Sequence, residues 1–195
     1  MSDFWTSDYT SGTIKDPKRK FRFTVTMDGL KTATGSTVVW YAKTCTKPSF
    51  QIATAEHKYL NHTFFYPGTV TWQDVSMTLV DPTSPDVASA FGAIMTAAGY
   101  GVPDGNTVYN TMTKASLASA VGMVTVTQMD GNGTPVEEWT LKNALITEFK
   151  FGDLEYGGDE LTELSLTLKY DWAQMVGVDT AAEPAFKRID GSVSV

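Results

Sequence analysis

Apolar and polar residues alternate with period two through several stretches of this chain, the pattern of half-buried β-strands. In FRFTVTM, Phe21, Phe23, Val25 and Met27 fall on one side and Arg22, Thr24 and Thr26 on the other, and Asp28-Gly29 follows as a turn signal. VVWYAKT, from Val38 to Thr44, begins apolar on both faces, as a strand covered on two sides does. ALITEFKF alternates on Leu145, Thr147, Phe149 and Phe151. The strictest alternation sets Leu164, Leu166, Leu168, Tyr170 and Trp172 against Glu163, Ser165, Thr167, Lys169 and Asp171.

YLNHTFFYPGTVTWQDVSMTLVDP, Tyr59 to Pro82, reads as two apolar-rich runs folded around the Pro67-Gly68 step. Its second arm changes phase. Val70 and Trp72 are even-numbered, whereas Val75, Met77 and Leu79 are odd-numbered. A β-bulge near Gln73-Asp74, or a strand that leaves one sheet and enters another, accounts for the switch. Upstream, CTKPSFQIATAEHK predicts a long irregular connection from Cys45 to Lys58, of a length that usually docks onto something.

Ser84-Pro85 reads as an N-cap and first-turn proline, after which Val87, Phe91, Ile94, Met95 and Ala98 recur at helical spacing up to Gly99. Ala120 to Met129 is a further strand candidate, and Asp130-Gly131-Asn132-Gly133 is a hairpin turn leading into PVEEWTL. The expected fold is mainly β: an antiparallel sandwich or barrel-like domain with one flanking helix over about residues 85–98. Residues 1–20 read as an N-terminal arm, 21–172 as the β domain and 173–195 as a C-terminal extension.

Composition narrows the function classes. Hydrophobic residues at 42% and charged ones at 19% describe a folding chain rather than a disordered one. The net charge of −7 argues against tight nucleic-acid binding by the whole surface. Charge is nonetheless polarised: KDPKRKFR holds Lys15, Lys18, Arg19, Lys20 and Arg22 against one acid, whereas GDLEYGGDELTE holds Asp153, Glu155, Asp159, Glu160 and Glu163 with no base. The N-terminus lacks the basic and apolar regions of a secretory signal, and no apolar run approaches the ~20 residues of a spanning helix. A chain that stays in the compartment of its synthesis, without membrane binding, is the expectation.

The residues offer little chemistry. Cys45 is the single cysteine, so no disulfide within the chain and no multi-thiolate zinc site is possible. His57 and His62 lack a HExxH-type spacing, a Ser49–His57–Asp74 triad has no GxSxG elbow behind it, and a Cys45–His57 pair places the thiol at the end of an apolar strand. The Asp130–Gly133 turn lacks the later bidentate glutamate of a calcium loop. No cofactor, metal or catalytic residue is expected. Five tryptophans and ten phenylalanines suit a carbohydrate-stacking β-sandwich as an alternative, although most lie in phase with core positions.

PSF in the long connection, YPGTVTWQDVSMTLVD, VTVTQMDGNGTPVEEWTLKNALITEFKFGDL and the closing ELSLTLKYDW occur in one order over roughly residues 20–172. In these patterns the chain resembles the tail tube proteins of contractile-tailed, T4-like bacteriophages. The resemblance implies hexameric rings stacked head to tail into a hollow tube inside a contractile sheath, in the phage virion, after synthesis in the host cytoplasm. It implies as partners other copies of the chain, sheath, tape-measure, baseplate and tail-terminator proteins, with DNA only passing through. A baseplate or neck ring of the same fold is the variant reading. Given that role, Lys15, Lys18, Arg19, Lys20 and Arg22, with Pro48 and Phe50, and on the acidic side Asp153, Glu155, Asp159 and Glu160, are candidate contacts between subunits or rings. Asp74 and Glu148 are candidates for a negative lumen that repels phosphate.

Overall fold

The computed structural model describes residues 18–30, 42–84, 86–102 and 111–177. Ten strands and two helices follow in the order β1 (Phe23–Met27), β2 (Ala42–Cys45), β3 (Phe50–Tyr59), β4 (His62–Trp72), β5 (Val75–Val80), α1 (Val87–Ala97), α2 (Lys114–Val121), β6 (Val124–Met129), β7 (Pro135–Lys142), β8 (Leu145–Lys150), β9 (Glu163–Lys169) and β10 (Trp172–Gly177). All ladders are antiparallel. Sheet I has the order β1-β6-β7-β10, sheet II the order β2-β5-β9-β8, and β3-β4 form a two-stranded ribbon of their own. The mainly antiparallel β fold expected from the alternation is the one observed, with two helices among the described residues rather than one.

The core lies where the alternating faces meet. Val25, Met27, Val124, Val126 and Leu141 from sheet I join Val75, Met77, Leu79, Leu164, Leu166 and Leu168 from sheet II in one apolar cluster. Helix α1 closes it with Val87, Phe91 and Ile94, and the Phe91 ring lies 4.3 Å from that of Phe149 on β8. Asp86, not Ser84, caps α1, accepting a bond from the Ser89 amide at 3.1 Å, while Gly99 at φ +100° ends the helical run as the sequence predicts.

Helix α2 occupies the start of the segment read as a strand from Ala120. Its KASLASAV sequence buries only Val121, so it carries almost no amphipathic signal, and the one cue is the Thr113–Ser116 capping box. The last alternating run is two strands rather than one. Beyond Tyr170 the chain crosses from sheet II to sheet I, where β10 pairs with β7 and Ala173 is fully buried, so sheet pairing continues to Gly177, beyond the boundary placed after Trp172.

The largest departure concerns the hairpin. Its turn is Leu60-Asn61, with Leu60 at φ +52°, and Pro67-Gly68 lies inside β4. There the register slips: Ile52 pairs with Val70 and Thr54 with Pro67, so one extra residue of β4 bulges out. A Cβ at Gly68 would sit 3.0 Å from the Ala53 carbonyl oxygen, which is why the bulge takes glycine. The connection read as irregular is therefore mostly β3. It shows no alternation because neither of its faces is buried, so no face selects apolar residues. The phase change at Gln73-Asp74 is a strand leaving one sheet for another: β4 ends at Trp72 in the ribbon, and β5 starts at Val75 in sheet II.

Candidate functional site

Every residue from Phe50 to Thr71 is exposed, on both faces of the ribbon. Ile52, Phe64, Phe65, Tyr66 and Val70 are about half or more exposed, an apolar load that a monomer surface rarely carries contiguously. The ribbon is anchored at its base, where Phe50 packs edge-on against Trp72 at 5.3 Å and Trp72 leans on Tyr170 at 5.9 Å. Burial pushes the Tyr170 phenol up to about 12, so it remains protonated there. Among the described residues no third strand pairs with either edge of the ribbon. A two-stranded ribbon alone is marginal in water, and its open edges are templates for pairing.

A second feature lies at one end of the sandwich. On β7, Glu137 and Trp139 share the inward side with Leu141, and on β6 Gln128 shares it with Val126, so this inward side carries the buried polar residues Gln128 and Glu137. Polar partners satisfy them. Lys47 Nζ reaches Gln128 Oε1 at 2.6 Å and Glu137 Oε1 at 2.7 Å, Lys18 bonds Glu137 Oε2, and Trp139 Nε1–H donates to Glu137. Burial opposes ionisation of Glu137, yet the two ammonium groups and the indole donor outweigh it and hold its pKa at about 2. Beside this cluster opens a cavity of about 540 Å³, floored by Phe23, Val126 and Trp139 and rimmed by Lys18, Lys20 and Lys47. Cys45 also faces it. Burial raises that thiol to about 11, so at neutral pH it is not the thiolate a nucleophile requires.

The third feature is the β8–β9 connection, which carries Asp153, Glu155, Asp159 and Glu160 on an exposed loop. Its foot is tied by Lys43 to Glu163. Among the described residues the basic and acidic poles are thus not brought together within one chain. Lys18 is engaged with Glu137, Gln128 Nε2–H donates to the Arg19 carbonyl at 3.1 Å, and Arg22 stacks over Phe21 at 5.4 Å. Pro48 is buried within its own chain, and Lys15 lies outside the described residues. Asp74 has Lys169 at 3.7 Å, and Glu148 has Lys150 at 3.1 Å. Among the described residues no group of three or more His, Cys, Asp or Glu is placed to hold a metal ion. Sequence reasoning missed Lys47, Gln128, Glu137 and Trp139, although a period-two count along PVEEWTL would have set Glu137 on the same side as Trp139 and Leu141.

A sandwich with a free-standing ribbon at one junction and a basic cavity at one end has structural counterparts. A chain in the anti-feeding prophage baseplate superposes with a TM-score of 0.60 at 16% identity, over 86% of this chain and 100% of that one. This is a fold found in contractile injection systems. A chain in the extended sheath–tube complex of an extracellular contractile injection system gives 0.60 at 14% identity, over 89% and 98%. One in the tube-terminating cap of the anti-feeding prophage gives 0.59 at 15%, over 85% and 94%. No protein-family model matches the sequence, and no curated protein matches it. At such identities the contractile-injection likeness concerns the fold, and the role must be argued from the surfaces.

Proposed function

We propose that this chain is a structural, non-catalytic subunit of a contractile tail tube, forming hexameric rings that stack into a hollow conduit inside a sheath, in a T4-like phage or a related injection machine. The β3–β4 ribbon carries the proposal. A chain with this fold that holds ten- and eleven-residue strands away from its own core, exposed on both faces, is built to complete its sheets with other copies. Closing a ring removes both open edges at once. In such a ring the sheath, tape-measure, baseplate and terminator proteins are the partners, and the virion tail is the place.

The conduit is proposed to be net negative, with Asp74 and Glu148 facing it. Each has a lysine within 4 Å, so the negative character rests mainly on the chain's net −7. Structures of a tube-terminating cap and a baseplate among the structural counterparts favour a second reading, a ring that starts or ends the tube. Negative-stain microscopy of the purified protein separates them: long hollow tubes are expected of a tube subunit, and single or paired rings of an end ring. Monomers at high concentration that bind glycans would overturn both in favour of a carbohydrate-binding module.

A further inference from the structure

The lysine-rimmed cavity and the acidic loop lie at opposite ends of sheet II. Cys45 pairs with Met77, and the Thr46 amide bonds the Ser76 carbonyl at 2.9 Å, so the chain runs on to Lys47 past the Val75 end of β5. The loop leaves β8 at Lys150, opposite Ser165, and re-enters at Glu163, opposite Val80, the other end of the same strand. A six-residue strand separates the two by roughly 17 Å. One subunit therefore cannot bring its own loop to its own cavity.

The two surfaces match in chemistry. The cavity offers an apolar floor with three ammonium groups around it and one carboxylate already held by two of them. The loop offers carboxylates interleaved with large apolar side chains that nothing covers: Leu154 is 89% exposed, Leu161 72% and Tyr156 fully so. Apolar residues at a solvent-facing tip cost nothing to remove from a monomer, and their burial with charge-matched neighbours is what interface anchors provide. Gly152, at φ +81°, lies so close to the Glu163 carbonyl that its Cβ position is only 2.4 Å from that oxygen, which fixes the loop's base.

We infer that the acidic β8–β9 loop of one copy docks into the lysine-rimmed cavity of the next, with Tyr156 seated on the Phe23–Val126–Trp139 floor and Glu155 facing Lys20. Because donor and acceptor surfaces differ and point in opposite directions, the contact is heterologous and propagates. It is a specific form of the stacking in the tube reading and rests on that reading.

The chain's single cysteine lies in the cavity wall, which makes the contact directly testable. The full-length Tyr156→Cys variant, oxidised in solution, is expected to give a ladder of covalent multimers beyond the dimer, and the same variant carrying Cys45→Ser no more than dimers. A Tyr156→Cys sample, oxidised well above the raised concentration that loss of the Tyr156 ring imposes, whose crosslinks stop at the dimer or never form would overturn the docking. The same grids distinguish the two levels: tubes without a ladder retain the tube reading and discard this contact, whereas a ladder without tubes retains the contact and discards the tube. As an independent reading, Lys20→Glu should raise the concentration needed for assembly several-fold, and adding Glu155→Lys should restore it, whereas equal defects in the single and double variants count against the pairing. Tyr156→Ala should raise that concentration roughly tenfold or more.

Discussion

The residue that most shapes the subunit's open end is Glu137, a carboxylate on an inward face, held by Lys18, Lys47 and the Trp139 indole. Its folded pKa of about 2 is depressed below the usual carboxylate value. The stability it contributes is therefore complete above about pH 4.5 and lost as pH falls through about 2. Glu137→Gln should lower stability by about 1–3 kcal/mol at neutral pH and flatten the acid limb of the unfolding curve. A denaturant titration across pH 2–7 checks both, and an unchanged acid limb would show that other carboxylates dominate it. Gly29 matters for a different reason from the turn read in the sequence. A Cβ there would lie 2.1 Å from the Ala120 carbonyl oxygen and 2.7 Å from that of Val121, because the end of β1 abuts the end of α2. Neither contact can yield without moving backbone. Gly29→Ala should cost about 1–3 kcal/mol, read as a lower denaturation midpoint with an unchanged slope.

At the scale of elements, strands legible in the sequence are those with one buried face. β5, β6 and β9 alternate cleanly because every second side chain enters the core, although β6 starts only at Val124 and the run read through Trp172 leaves β9 after Lys169. β3 and α2 were illegible for the complementary reason, since neither has a face that burial constrains. The same exposure makes the ribbon testable as an assembly element. Phe64→Ser with Tyr66→Ser should change subunit stability by no more than ~0.5 kcal/mol, as exposed positions do, yet abolish ring formation. Rings of normal yield would remove the ribbon from the interface. In hydrogen exchange, β3 and β4 should exchange fast in the isolated subunit and become protected on assembly, while β5 and β9 stay protected throughout.

For the whole molecule, charge polarity visible in the sequence acquires direction only through the fold. Lys18, Arg19, Lys20 and Arg22 precede or open β1, and the acidic loop closes β8 and β9; the registers through sheet II set Lys47 and the loop at opposite ends. Part of the basic block is spent inside the subunit, on Glu137, and the remainder rims a cavity rather than forming a flat patch. Under the proposed tube reading, a net charge of −7 would give the conduit little affinity for polyphosphate. Tubes should therefore not retain duplex DNA at physiological salt in a sedimentation assay. Retention that falls steeply with salt would indicate a basic lumen and overturn its assignment as negative.

The β class, most strands of both sheets, helix α1 and the separation of basic from acidic segments are legible along the chain, because each leaves a local periodic or compositional trace. Where the hairpin turns, the division of β4 and β5 between different sheets, and the convergence of Lys18, Lys47, Gln128, Glu137 and Trp139 follow from long-range pairing and packing. Pro67-Gly68 carries a turn's composition but serves a bulge, since the partner strand β3 has no sequence signature to reveal the pairing. The cluster at Glu137 joins residues 119 and 90 positions apart, a closeness produced by strand register and invisible to any local window.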